Sequence, residues 1–475
     1  MWGEFYLGAI FQSPYWGNLL STAFKGFNLI TDYSGMGCPE MSFRMIQEAL
    51  VKMGFVDEAF KLHHAVRALD IKPLCRRVLR AHSDAPTHVM SDIMQRIPVP
   101  TREELIALAR HAQARLKELE ASSGGKVSKD ARDMIGEEMI YSACNDLKRV
   151  QFSMDQKQWC DTHAAECCLW GDPEDHMAKG ISIAVIGNEC IDWSTMGSRK
   201  GECGMGVIVL LTWCFSILAW KPMAVIQECT VCFKSWILRH VFVDLTGGEY
   251  QIQVRKFSPA DLGIPVSRPR QWVILTHRPR MKVNVTFDSK EFEALFFRQR
   301  TLTGSLYISQ LGGVQERAAF KRSLLHSRGL LHGKGYRLHA GSFTWKNAFP
   351  PGYRIRLASF EKLYVQHPPG SRRSIADISQ TAGFTKRLSE CMPTLKRGAI
   401  MFDVGTQRPL LPSAQFDCMG IPVHRPPDVY HKCAFRDILP ELSHRDMKQL
   451  TGNGMHLAAC GVCILYVMAM VELVD

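Results

Sequence analysis

The stretch "GFNLITDYSGMGCPEMSFRMIQEALVKMG", residues 26–54, decides the fold class. A largely apolar run leads into a polar turn that carries Gly35 and Gly37, and a helical period then continues to Gly54. Strand, tight turn and helix in that order form the opening unit of an α/β fold. The pattern repeats downstream. "FKLHHAVRALD" (60–70) carries a second strand into Asp70, "CRRVLRAH" (75–82) a helix, and "THVMSDIMQRIPVP" (87–100) a third strand with its exit loop. Strands alternating with helices predict a parallel sheet.

The next segment differs in character. "TREELIALARHAQARLKELE" (101–120) opens with Thr101 and, three residues later, Glu104, the pattern of a capping box before a helix. "ASSGGKVSKD" (121–130) interrupts it, and a second helix is predicted over 131–149. Residues 99–177 read as a helical insertion between sheet elements. Alternation resumes with "ISIAVIG" (181–187), a helix near 203–220, and the strands "MAVIQE" (223–228) and "QWVILTH" (271–277). From 281 to about 440 the chain is basic, with frequent turns and short β-like runs such as "GSLYISQL", "GYRLHAGSFTW" and "YRIRLASF". That region reads as a separate recognition domain.

Composition narrows the function classes. With 475 residues, 46% of them hydrophobic and 22% charged, the chain can bury a large core and is not a disordered segment. A formal net charge of +12 favours polyanionic partners, nucleic acid above all. The 16 cysteines are scattered, and the start, "MWGEFYLGAI", has no basic n-region or small-residue cleavage site. Reduced thiols and no secretory leader are expected. "MGVIVLLTWCFSILAW" (205–220) and "LAACGVCILYVMAMV" (457–471) fall short of the roughly 18–20 apolar residues of a membrane span. Both read as helices buried on the sheet, with no membrane partner.

Four groups of residues can carry chemistry. In "DYSGMGCPE" (32–40), Gly35 and Gly37 let a ligand approach the backbone at a helix N-terminus, or simply make a tight turn. Asp70 and Asp92 each follow a strand, where an acid can accept from ribose hydroxyls or cap a helix. Cys190, in "GNECIDWSTMG" (187–197), and Glu228 each lie just past an apolar strand. A thiolate there can act as a nucleophile and a carboxyl as an acid; the plain alternative is a core thiol and a surface glutamate. In "GIPVSRPRQWVIL" (263–275), Arg268 and Arg270 precede a strand and can grip a phosphate or position a carboxylate. "CDTHAAECC" (160–168) offers Cys160, His163, Cys167 and Cys168, but it lacks the paired spacing of a zinc finger, and no metal is expected.

In this order the segments resemble the C5-cytosine methyltransferase family over residues 26–98, 178–280 and 440–475. "TDYSGMGCPEM" is similar to the first motif of that family, "ALDIKPLCRRVL" and "HVMSDI" to the second and third, and "GNECIDWSTMG" to the fourth. "MAVIQECT" is similar to the sixth, "GIPVSRPRQWVIL" to the eighth, and "LTGNGMHLAACGVCILY" to the tenth. The resemblance implies a Rossmann-like S-adenosylmethionine-dependent methyltransferase fold with a helical insertion and a smaller target-recognition domain over 281–435. A C-terminal segment, 440–475, would complete the cofactor pocket. It also implies methyl transfer from S-adenosylmethionine to carbon 5 of cytosine in DNA, with RNA cytosine or a silent nucleic-acid-binding homologue as alternatives. Cys190 would be the nucleophile, Glu228 the partner of the ring N3, Arg270 the holder of Glu228, and Arg268 a more structural arginine. Tyr33, Ser34, Gly35, Gly37, Asp70, Asp92 and Asn453 would face the cofactor. A DNA substrate would place the protein in the nucleus, and otherwise it would be cytoplasmic.

Three positions depart from the family pattern. Glu189 stands where the family has proline, directly before Cys190, and a carboxylate beside a thiol disfavours the thiolate. Cys229 follows Glu228 in place of an asparagine, and Val266 replaces a glutamine at the start of the eighth motif.

Overall fold

A computed structural model describes residues 2–125, 127–153, 155–170, 180–188, 191–194, 200–309, 313–326, 344–368, 370–385, 387–424 and 433–474. The chain divides into two compact units. The first comprises Met1–Phe257, Arg270–Phe296 and Cys460–Asp475, the second Ser258–Pro269 and Phe297–Ala459.

The first unit is built on one nine-stranded sheet. Its strands are β1 (Phe27–Asp32), β2 (His63–Leu69), β3 (His88–Met90), β4 (Lys157–Cys160), β5 (Ala165–Cys168), β6 (Ile181–Gly187), β7 (Ala224–Thr230), β8 (Tyr250–Phe257) and β9 (Arg270–His277). Their order is β5-β4-β3-β2-β1-β6-β7-β9-β8. The five central strands, β3-β2-β1-β6-β7, run parallel, while β9 is antiparallel to both β7 and β8. All six residues of β1 are buried, as in a central strand covered on both faces. This is a Rossmann-like α/β fold. Strand order reverses between β1 and β6, the switch point beside which open α/β sheets bind ligands.

Five helices of the first unit form where the sequence pattern places them, although the helix expected to open at Thr101 starts at Val99, without the Thr101–Glu104 capping box. Cys38–Lys52 starts with Pro39 in its first turn, and Pro73–Arg80 with Pro73. Val99–Ser122 buries Leu105, Ala109, Ala112 and Leu116, a single face repeating every three to four residues. It packs with Lys129–Lys148, which buries Ile135, Met139, Ile140 and Ala143 in the same core. Met205–Trp220 is buried from Val207 to Ile217 apart from the half-buried Val209. The stretch His444–Met470 is long and apolar enough to cross a membrane by length and composition, and 94% of its most apolar window is buried inside the protein.

Some expectations change. The 99–177 segment is not wholly helical: after its two helices it adds the β4–β5 hairpin to the sheet edge. Residues 281–296 belong to the first unit, because Met281–Val283 pairs with Val471–Leu473 and Phe292 and Phe296 pack together. The second unit extends to Ala459, so the expected C-terminal segment 440–475 is divided.

The run "YRIRLASF" lies in the helix Pro351–Val365, not a strand. Leu357 and Phe360 are buried while Ile355 is 70% exposed, so the apparent alternation is one helical turn seen at its edge. "GSLYISQL" contains the short helix Leu306–Ser309, and most of "GYRLHAGSFTW" lies outside the described residues. Among the described residues, the strands of the second unit are Ile375–Asp377, Met401–Asp403 and Arg408–Pro409, one small antiparallel sheet.

Candidate active site

The turn after β1 is held by backbone and side-chain bonds to the end of β2. Ser34 N–H donates to Leu69 O at 2.9 Å, and its hydroxyl lies 2.7 Å from Thr31 Oγ1. Tyr33, Gly35 and Gly37 all adopt positive φ, at 51°, 59° and 79°. The two glycines have different reasons. A Cβ at Gly37 would sit 2.3 Å from His82 Cε1, a ring held by Met36 O at 2.9 Å. A Cβ at Gly35 would meet nothing within 4 Å, so open space lies over that peptide.

Asp70 joins the first two strand ends. Its carboxylate accepts from Gly35 N–H at 2.9 Å and from Lys72 N–H at 2.8 Å. Burial raises its pKa against the pull of these donors. Asp92 behaves differently: its carboxylate accepts from Met94 N–H at 2.9 Å and caps the short helix Ile93–Arg96. Of its two sequence readings, helix cap is the contact observed.

Sequence reasoning missed two groups here. Glu40, in the first turn of Cys38–Lys52, is fully buried, accepts from Thr31 Oγ1 at 2.6 Å and keeps Oε2 without a partner. Burial pushes its pKa up to about 7. An acid in the first helical turn after a glycine turn was a readable signal. The second is a buried group of four at the end of β1: Asp32, Arg67, Arg96 and Trp213. Asp32 accepts from Arg67 Nη2 at 2.9 Å, Arg96 Nη2 at 2.5 Å and Trp213 Nε1 at 3.1 Å. Both guanidinium groups lie over the Trp170 ring. No local spacing links these four residues.

On the other side of the switch point, Gly187 at the end of β6 is in register with Glu228 on β7. Glu228 is 7% exposed, and Arg270 Nε lies 2.9 Å from its Oε1. The structure thus brings together the pair that the sequence placed more than forty residues apart. Glu189 and Cys190 lie outside the described residues. The residues around them are anchored. Asn188 Nδ2 donates to Cys229 Sγ at 3.5 Å, and Gln227 Nε2 donates to Asn188 Oδ1. Cys229 therefore receives a hydrogen bond from the loop residue before Glu189. Beyond, Asp192 accepts from Gly206 N–H at 3.0 Å, and Trp193 packs edge-on against Phe233.

Arg268 and Asn453 belong to the second unit. Arg268 is 3% exposed and donates to Gly454 O at 2.6 Å and Leu395 O at 3.3 Å. Its guanidinium donates to backbone carbonyls, whereas that of Arg270 lies beside a carboxylate. Val266 is bridged to Met392 in that unit. Asn453 is exposed and ends the helix His444–Asn453, whose start Ser443 and Asp446 cap reciprocally.

No family model and no curated protein matches this chain. Among solved structures it is similar to a methyltransferase of Entamoeba histolytica, EhMeth, at 10% identity over 93% of this chain and 98% of that one, with a TM-score of 0.41. It is similar to a putative DNA modification methyltransferase encoded within an E. coli prophage, at 12% identity over 94% and 99% of the two chains and a TM-score of 0.43. It is also similar to the Dnmt2 methyltransferase of S. pombe, at 12% identity over 93% and 98% and a TM-score of 0.40. These structural neighbours all carry the name methyltransferase, the class that the sequence motifs resemble.

Proposed function

We propose that this chain transfers a methyl group from S-adenosylmethionine to carbon 5 of cytosine in DNA. The observation that carries the reading is the shared carboxyl edge of the first unit. There the Ser34–Gly37 turn with Asp70 flanks one side of the switch point, and the Glu228–Arg270 pair flanks the other. Cys190 follows Gly187, the register partner of Glu228, by three residues.

The residues present suit the cofactor. Open space over Gly35 and the unpartnered Oε2 of buried Glu40 offer a contact surface and an acceptor for a cationic, amine-bearing ligand. S-adenosylmethionine, when bound, supplies an electrophilic methyl group. The chain's own residues would do the rest. The Cys190 thiolate adds to C6 of the base, which makes C5 nucleophilic. Glu228 shares a proton with N3 and absorbs the charge that develops there, while Arg270 holds the carboxylate in place. After C5 has taken the methyl group, with S-adenosylhomocysteine as the leaving product, a solvent water would take the C5 proton and the Cys190 thiolate would depart from C6, which restores the aromatic ring. This geometry requires a base outside the stack, and the net charge of +12 supplies affinity for the phosphates.

The test uses methyl-labelled S-adenosylmethionine with separate DNA and RNA pools, followed by nuclease digestion and nucleoside separation. Label is expected in 5-methyldeoxycytidine, absent with Cys190→Ala and reduced about 10²–10⁴-fold with Glu228→Gln. Label in 5-methylcytidine alone would move the substrate to RNA. Nucleic-acid binding with no label in either pool would overturn the enzymatic reading.

A further inference from the structure

We propose that His88, Cys160, His163 and Cys167 form a zinc site that pins the β4–β5 hairpin to β3 at the edge of the sheet. One ligand atom from each residue can be chosen so that all four lie within 4.8 Å of one another. His163 Nδ1 is 3.5 Å from Cys160 Sγ and 3.3 Å from Cys167 Sγ. Zinc bonds of about 2.3 Å to sulfur and 2.0–2.1 Å to nitrogen, arranged tetrahedrally, put such atoms about 3.5 Å apart. The two distances from His163 already match that spacing, and the remaining ligand atoms lie within 4.8 Å of one another.

Strand register explains how the set assembles. Cys160 pairs with Met90 on β3 and with Ala165 on β5, while Cys167 pairs with Gln158. Because side chains alternate along a strand, His88, Cys160 and Cys167 share one face, and Cys168 lies on the other. His163 sits in the connecting turn, next to Ala164 with φ of 49°. His88 and Cys160 are buried, and His88 Nδ1 has no hydrogen-bond partner. Three ligands thus come from a C-x-x-H-x-x-x-C hairpin, and the fourth lies 72 residues before Cys160. In sequence the fourth nearby ligand is Cys168, without finger spacing; strand register puts His88 in that place.

The chemistry points to a divalent, borderline-soft cation. Two thiolates and two neutral imidazoles balance the charge of Zn²⁺, and four protein ligands leave no open position, the mark of a structural site. The hairpin has a use for such a clip. Its strands are four residues each, Trp159 is 50% exposed, and β4 meets β3 through the one register pair Cys160–Met90, so the hairpin's own attachment to the sheet is short.

The experiment measures metal on the full-length, tag-free protein purified without chelator. About one equivalent of zinc per chain is expected by elemental analysis. After chelation under reducing conditions, added cobalt(II) should give tetrahedral d–d bands and thiolate-to-cobalt charge transfer. Cys160→Ser with Cys167→Ser should lose both signals, and Cys168→Ser should keep them. Wild-type protein without zinc and without the cobalt spectrum overturns the proposal, as does a Cys168→Ser variant that loses the metal. The wild-type cobalt spectrum decides the matter even where the double variant fails to fold.

Discussion

At the scale of single residues, identical side-chain types receive opposite roles from their surroundings. Ser413, His424 and Asp417 have the distances of a nucleophile, base and orienting acid: 3.1 Å from Ser413 Oγ to His424 Nε2, and 2.6 Å from His424 Nδ1 to Asp417. Glu316 changes their chemistry. It bonds the same hydroxyl and lies 3.4 Å from the same imidazole nitrogen. Burial would lower the His424 pKa, but Asp417 and Glu316 together raise it to about 9, so the ring is a cation at neutral pH and a poor base. Its contribution to stability is fully present below the ordinary value of about 6.5 and is lost as pH rises through about 9. Protection factors of the helix Ala414–Cys418, which discount the base-catalysed rise of intrinsic exchange with pH, should fall across that window in the wild type. His424→Gln should remove most of that pH dependence.

At the scale of elements, the turn between β1 and Cys38–Lys52 was legible because glycine spacing reports backbone demand directly. What separates its two glycines is a contact from elsewhere in the chain. Gly37→Ala would force a Cβ into the His82 ring at a φ of 79°, and a loss of about 1–3 kcal/mol is expected by urea unfolding. His82→Ala in the same chain should recover the steric part of that loss. In the helix Pro351–Val365, Leu357→Ala should cost about 2–5 kcal/mol, while Ile355→Ala should stay within about 0.5 kcal/mol. A strand would have treated the two positions alike, so the pair of measurements tests the helical assignment.

At the scale of the whole molecule, the sheet of the first unit is tied together by a buried charge. Burial alone would raise the Asp32 pKa, but Arg67 and Arg96, with the Trp213 N–H, hold it below its ordinary value of 3.8. That stability is present above the ordinary value and is lost as pH falls through the lowered one. Acid unfolding of the wild type should therefore steepen below about pH 3.8. Asp32→Ala, which leaves two guanidinium groups buried without their carboxylate, should lose about 3–5 kcal/mol at neutral pH. It should also lack the steep acid limb, as read by thermal unfolding across pH.

The sequence by itself determined the alternation of strands and helices in the first unit, the glycine turn, and the candidates Cys190, Glu228 and Arg270. Each follows from local periodicity, local backbone freedom or an ordered series of motifs. Tertiary structure decided which candidates lie together. Asp70 bridges two strand ends while Asp92 caps its own helix, and Arg270 meets Glu228 while Arg268 binds carbonyls. It also made the helix Pro351–Val365 from a run that alternates like a strand, and brought His88 to Cys160. The physical reason is the same throughout. Backbone preference is set by neighbours in the chain, whereas a side chain's partner, burial and charge are set by register and packing between segments far apart in sequence.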